Sequence, residues 1–270
     1  MTIQHALVVD VGNTRAKFGL FETGGAMAPQ VRSNTAVRLA NASVVDEFLN
    51  WVKTVEVEIS SAVVAGSNPG VRNQLVAQWP GYLVNPSVID SVDDVPIDID
   101  VDLPHSVGID RLLTALAAHQ IFANRQPIIV VDSGTATTVN FVTSDGVFRG
   151  GAILPGIRLA ARSLHDYTAR LPLLDTDKIA ERVNETNVPV IGRTTEQAIT
   201  SGLLWGQLGA ITEIRKRFSR FAKTHFNEAA EPVCLVTGGG GRQLADHLTP
   251  CVYIDSLALH GLAFLACRTH

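Results

Sequence analysis

Cysteine is scarce in this chain, with only Cys234, Cys251 and Cys267 in 270 residues. They are odd in number, far apart and form no Cys-x-x-Cys pair, which excludes a disulfide framework and a thiolate zinc site and fits a reducing compartment. No histidine is assigned to zinc either, because none stands at ligand spacing from another His or a Cys. Basic runs are missing apart from Arg215-Lys216-Arg217, and the net charge is −4 with a pI near 6.0. That balance disfavours nucleic acid as a partner, and the trio reads as the solvated end of a helix. No stretch of about 20 apolar residues is present, so no membrane span is expected. The first strand begins without a basic-then-apolar leader, and a cytoplasmic setting is expected. Charged residues make up 18% and hydrophobic residues 46%. Disorder is thereby disfavoured and a sizeable core is expected, in one large domain or two of roughly 100–150 residues.

What the chain does contain, in duplicate, is a turn. Leu7-Val8-Val9-Asp10-Val11-Gly12-Asn13-Thr14 stands near the start, and Ile129-Val130-Val131-Asp132-Ser133-Gly134-Thr135 near the middle. Each is a β-branched run, then Asp-x-Gly, then a small polar residue. Alternating runs follow, Lys17-Phe18-Gly19-Leu20-Phe21 in one copy and Val139-Asn140-Phe141-Val142 in the other. The pattern predicts a strand, a tight turn and a returning strand. Glycine lets a ligand come close, successive turn N–H groups can cradle a phosphate, and an Asp at the strand end can meet a metal ion or its water shell. One Asp-x-Gly turn is ordinarily only structural. Two, after matching strands, point to a duplicated domain with a nucleotide held between the halves.

The remaining chain predicts an α/β layer. Ser43-x-x-Asp46 opens a helix with Val44, Val45, Phe48, Leu49 and Val52 on one face. Residues 59–65 read as a buried strand and 71–79 as a helix. The acidic segment 89–103 alternates with period two over 97–102, predicting a strand with one wet face; its carboxylates read as a solvated face before a cation site. Asp110-Arg111 follows Gly108 at the mouth of an apolar helix. The carboxylate there suits the helix dipole, and the pair equally suits substrate binding and proton abstraction; local sequence leaves both open. His105 is a further candidate for the substrate pocket. Residues 150–156 read as a flexible segment, a helix follows through Leu159 and Tyr167, and 173–191 read as an exposed connection. Thr194-x-x-Gln197 opens a long helix through Phe221, whose Gly202, Gly206 and Gly209 read as tight packing. A strand at 234–237 precedes four glycines, a helix at 242–248, a strand near 252–254 and a closing helix at 257–267. The glycine run is either a loose turn or close backbone contact with a nucleotide.

In this order, Asp10-Val11-Gly12-Asn13-Thr14, Gly108-Ile109-Asp110-Arg111, Asp132-Ser133-Gly134-Thr135-Ala136-Thr137-Thr138 and Gly150-Gly151 with Pro155-Gly156 resemble the type III pantothenate kinases. The resemblance continues through Leu171-Pro172, Gly192-Arg193-Thr194-Thr195, Ser201-Gly202 and Thr237-Gly238-Gly239. It implies an α/β fold of two duplicated actin-like (ribonuclease H-like) domains, with mixed sheets flanking an ATP cleft, as in heat-shock chaperones and sugar kinases. The halves are expected at 1–118 and 119–270. The implied activity is ATP-dependent phosphorylation of the primary hydroxyl of pantothenate, the first step of coenzyme A biosynthesis.

The same resemblance implies the site. Asp10, Val11, Gly12, Asn13, Thr14, Arg15, Ala16 and Lys17 would hold ATP phosphates, with Asp10 on Mg²⁺ through water. Thr135 would touch ATP, and Asp132 would bind a monovalent cation, K⁺ or NH₄⁺. Asp110 would be the general base. Gly108, Ile109, Asp110, Arg111 and Thr195 would bind pantothenate, in a site completed across a homodimer. Two positions depart from the family pattern: Val101 stands where a Tyr is frequent, and Thr194 where the family has Asn. An actin-like sugar kinase would share both turns but not Gly-x-Asp-Arg. A nucleotide-dependent regulatory protein on the same fold would not need Asp110, Arg111 and Asp132 together.

Overall fold

A computed structural model of the protein describes residues 3–24, 28–40, 43–122, 126–175 and 188–268. The chain forms two compact units, Met1–Ala123 with Ser256–His270, and Asn124–Asp255. The first contains β1 (Gln4–Val11), β2 (Arg15–Thr23), β3 (Gln30–Arg38), α1 (Val44–Val52), β4 (Ser61–Ala65), α2 (Pro69–Ala77), β5 (Ser87–Ile89) and α3 (Ile109–Ile121). The second contains β6 (Ile128–Ser133), β7 (Ala136–Val142), β8 (Phe148–Pro155), α4 (Ile157–Asp166), α5 (Thr195–His225), β9 (Val233–Thr237), α6 (Gly241–Ala245) and β10 (Val252–Tyr253). The last helix, α7 (Leu257–Ala266), returns to the first unit.

One topology is written twice. The first sheet runs β3-β2-β1-β4-β5 and the second β8-β7-β6-β9-β10. In each, the first three strands form an antiparallel meander and the last two join the opening strand's other side in parallel. Asp10 and Asp132 therefore occupy equivalent places, near the C-terminal end of the opening strand.

In the first unit, Leu7, Val9 and Val11 point to one face of the sheet and pack with Phe18 against Val44, Val45, Phe48 and Val52 of α1 and Leu75 of α2. Phe18 and Phe48 meet edge to face at 5.3 Å, and Phe48 stacks on Trp79 at 4.8 Å. Burying each such ring contributes on the order of 2–3 kcal/mol. Helix α1 starts where it does because Ser43 Oγ accepts from Asp46 N–H at 3.3 Å, with Asp46 and Glu47 at the positive end of the dipole. On the opposite face Val8 and Gly19 meet Leu259 of α7. Helix α7 is apolar nearly all round, as a helix covered on every side must be. A Cβ at Gly261 would overlap the Leu113 carbonyl of α3, so these two helices touch backbone to backbone.

In the second unit, Ile129, Val131, Val139, Phe141 and Val236 form one sheet face, covered by Ala161 of α4, Ile199, Leu203, Leu204, Leu208 and Ile211 of α5, and Leu244 of α6. Arg215 on α5 donates to the Leu248 and Pro250 carbonyls at 2.9 and 3.0 Å, tying down the chain after α6.

Several sequence expectations change here. The closing helix, expected with residues 119–270, packs on the first sheet. Residues 150–155 are not a flexible segment but belong to β8, and Gly156 caps α4; the Gly151 Cα lies so close to the Val139 carbonyl that no side chain fits. Strand β3 had no sequence expectation. Residues 97–102 form no ladder strand; the alternation of half-buried and exposed residues survives, but only Ile99 makes an isolated bridge. The short helix expected at 242–248 ends at Ala245. Among the described residues, a Cβ at Gly202, Gly206 or Gly209 meets nothing within 4 Å, so the tight packing expected there is not formed among them. Most of the 173–191 connection lies outside the described residues.

Candidate functional site

The first hairpin turns tightly because Gly12 N–H donates to the Arg15 carbonyl at 2.9 Å. Asp10 lies opposite Lys17 across the antiparallel pair and beside Ala65 on the parallel side. Directly opposed residues share a sheet face, so carboxylate and ammonium point the same way, toward the side on which Val8 meets α7. Asp10 is 7% exposed, Lys17 is half-buried, and Asn13 and Thr14 are exposed at the tip. The end of β4 braces this tip. A Cβ at Gly66 would overlap the Val11 carbonyl, Asn68 N–H donates to that carbonyl at 3.2 Å, and Asn13 Nδ2 reaches Ser67 Oγ at 3.4 Å.

Helix α3 brings the third motif. A turn at Pro104–Ser106 leads to Gly108, the N-cap, which offers no side-chain cap. The Asp110 carboxylate instead accepts from the N–H of Arg111 at 2.9 Å. Burial pulls the Arg111 guanidinium below its usual range, and the adjacent Asp110 charge opposes that pull. A half-buried guanidinium beside a carboxylate at the positive end of a helix is suited to an anionic ligand carrying a hydroxyl. His105 is exposed on the preceding turn and Val101 is half-buried.

The second hairpin repeats the first with a loop one residue shorter, Gly134 N–H donating to the Ala136 carbonyl at 2.9 Å. Asp132 is flanked in register by Thr138 and Thr237, which places one carboxylate and two hydroxyl residues on one sheet face. The glycine turn after β9 packs against this tip: Gly240 N–H donates to the Ser133 carbonyl at 2.9 Å, and a Cβ at Gly240 would lie 2.7 Å from Ser133 Oγ. A Cβ at Gly238 would lie 2.6 Å from the same Ser133 carbonyl, so the protein itself explains the four-glycine run at these two positions. Gly156, at the start of α4, would place a Cβ 2.5 Å from the Gly134 and Thr135 carbonyls. Burial pushes the Tyr253 phenol up to about 12, with Asp255 and Asp132 adding in the same direction and Arg242, over its ring at 5.7 Å, opposing.

Thr195 is the exposed first residue of α5. Thr194 caps that helix, accepting from Gln197 N–H at 3.2 Å, while Gln197 Oε1 reaches back to Arg193 N–H at 2.9 Å. Thr and Asn are both strong N-caps, so the Asn-to-Thr departure keeps the helix start. Among the described residues no three His, Cys, Asp or Glu side chains converge to hold a metal, and the acidic segment 89–103 forms no cation cage. Also among them, no helix is long and apolar enough to cross a membrane.

Sequence reading placed Asp10, Lys17, Asp110 and Arg111 in the first unit and Asp132, Thr135 and Thr195 in the second, on elements of the expected type. It missed the bracing roles of Gly66, Ser67 and Gly156. The Gly66-Ser67-Asn68-Pro69-Gly70 run that follows β4 is the sequence signal for the first two.

A duplicated α/β unit with an Asp-x-Gly hairpin at each opening strand is the architecture of actin-like ATPases and sugar kinases. A Baf family transcriptional activator from Campylobacter jejuni superposes with a TM-score of 0.60 at 19% identity, covering 97% of this chain and 98% of that one. A glucokinase from Balamuthia mandrillaris, solved with glucose, superposes with a TM-score of 0.50 at 12% identity, covering 98% and 94%. These likenesses establish the fold alone. The family model for type III pantothenate kinase matches residues 6–217. The type III pantothenate kinase of Zymomonas mobilis is 32% identical over 96% of this chain and 91% of its own length, and that of Gluconobacter oxydans 34% identical over 94% and 91%. The chain belongs to the type III pantothenate kinase family.

Proposed function

We propose that Asp110 is the general base in ATP-dependent phosphorylation of the primary hydroxyl of pantothenate, the reaction of the family to which this chain belongs. The observation that carries the assignment is the Asp110 carboxylate at the mouth of α3, held by the Arg111 amide and adjoining the Arg111 guanidinium. Asp110 takes the hydroxyl proton, the alcohol oxygen bonds to the γ-phosphorus, and the bond to the β–γ bridging oxygen breaks to release ADP. Phosphoryl transfer needs little covalent help from a protein and much alignment and charge neutralisation. Arg111 pairs with the pantothenate carboxylate, and Gly108, Ile109 and Thr195 complete the substrate contacts.

The first hairpin, from Asp10 to Lys17, takes ATP phosphates on its turn amides, Thr14 and Lys17, and Thr135 of the second hairpin contacts ATP. A mostly buried carboxylate at a strand end fits Mg²⁺, which keeps water and phosphate ligands and asks for one or two protein carboxylates; Asp10 would hold it. Bound there, the ion would neutralise charge on the β- and γ-phosphate oxygens. Asp132, with hydroxyl residues on either side, fits a monovalent cation, K⁺ or NH₄⁺. A homodimer belongs to the same reading and is supported by the open face at Gly202, Gly206 and Gly209 of α5, as is a cytoplasmic setting, supported by the reduced cysteines. The test is Asp110→Asn: turnover falls by roughly 10²–10⁴ at an unchanged unfolding midpoint, and a normal turnover removes Asp110 from the chemistry.

A further inference from the structure

The glycine ahead of α3 is not required by its own backbone. Gly108 has φ −63° and ψ 133°, a conformation open to any residue. Nor is it required by packing against main chain. A Cβ at position 108 would lie 2.5 Å from Asp110 Oδ1, while its next neighbours, Asp110 Cγ at 3.7 Å and Arg111 Cδ at 4.0 Å, are at ordinary contact. The atom that fills the empty side-chain volume is therefore an oxygen of the carboxylate, the same oxygen that accepts the Arg111 N–H. Ser, Thr, Asp or Asn, the usual residues at an N-cap, would occupy that volume and compete for the same amides.

We propose that Gly108 is a positioning residue for Asp110, its missing side chain keeping open the space in which the carboxylate folds back onto the first turn of α3. One carboxylate oxygen is then committed to the backbone, and the alcohol proton goes to the other. This rests on the reading of Asp110 as base. It also sets apart two effects that a structural glycine would couple. A methyl at 108 meets only the end of a rotatable side chain, so the fold tolerates it, and replacing Gly by Ala in a permitted conformation restricts the unfolded chain. The carboxylate, however, has to turn away from where it lies.

The experiment uses the full chain with Gly108→Ala, Asp110→Asn and the double substitution, measuring urea unfolding midpoints, kcat, and KM for ATP and pantothenate. Gly108→Ala is expected to keep or raise the unfolding midpoint, leave KM for ATP unchanged and lower kcat by about tenfold to a hundredfold. The double substitution is expected to be no slower than Asp110→Asn alone, because the glycine acts through the carboxylate. A normal kcat in Gly108→Ala beside a slow Asp110→Asn overturns the positioning role and leaves the base in place. A kcat loss that comes with a lowered midpoint, or that multiplies with Asp110→Asn, also overturns it. A normal kcat in Asp110→Asn overturns the base assignment and this inference together.

Discussion

Asp132 and Gly238 share one volume: a side chain at 238 would overlap Asp132 Oδ1, and it would lie 2.6 Å from the Ser133 carbonyl as well. Gly238 has φ +92°, in the region that disfavours L side chains. Unlike Gly108, it is fixed by backbone conformation and backbone contact together. Gly238→Ala is expected to destabilise the protein by about 1–3 kcal/mol, read as a fall in the urea midpoint. The dependence of turnover on potassium is expected to shift with it, because the carboxylate assigned to the cation is displaced.

The parts of this fold that were legible in the sequence are those whose signal is local. Both Asp-x-Gly hairpins, the Ser43 cap of α1, the Thr194 cap of α5 and the start of α3 all stand within a residue or two of expectation. Strand β3 was missed because it is an edge strand with most of its residues exposed, so no apolar alternation marks it. Residues 150–156 carry no strand signal because Gly150 and Gly151 break the pattern; Gly151 is required by close approach to β7, which depends on a partner strand, and Gly150 by its φ of +83°. The position of α7 depends on contacts with residues more than a hundred places earlier, and nothing in its own apolar run says which sheet it covers. The site motifs were legible, while their braces, Gly66 on Val11 and Gly156 on the second turn, are long-range contacts between backbones.

Arg111→Lys tests the substrate carboxylate. A guanidinium offers a planar fork to a carboxylate and an ammonium offers a point charge. The expected result is a rise in KM for pantothenate of about tenfold, equivalent to roughly 1.4 kcal/mol, with KM for ATP unchanged. An unaltered pantothenate KM places the carboxylate elsewhere.

Asp10→Asn keeps the size of a nearly buried side chain and removes its charge. The magnesium concentration for half-maximal rate is expected to rise about tenfold or more, since the carboxylate is the hard-oxygen donor assigned to the ion. A magnesium titration of initial rate at fixed ATP reads this directly, and an unshifted curve frees Asp10 from that role.

Cys234 contributes to the alkaline limb of stability. Burial pushes its thiol from 9.0 up to about 11, with Arg215 opposing and Cys251 adding. The folded state therefore holds the proton more tightly than the unfolded state does. The stabilisation is whole below about pH 9 and is lost as pH rises to about 11. Two units correspond to about 2–3 kcal/mol. Cys234→Ala is expected to flatten the fall in urea midpoint over that window relative to the unsubstituted protein, whatever its stability at neutral pH. Parallel curves for the two proteins contradict the assignment.

The most direct measurement is ADP release by the purified chain with MgATP, run with and without pantothenate, with and without potassium, and against a panel of hexoses. The account predicts saturable ADP release that requires pantothenate, yields an equal amount of phosphorylated pantothenate and rises with potassium. ADP release that ignores pantothenate, or that follows a sugar instead, would contradict it.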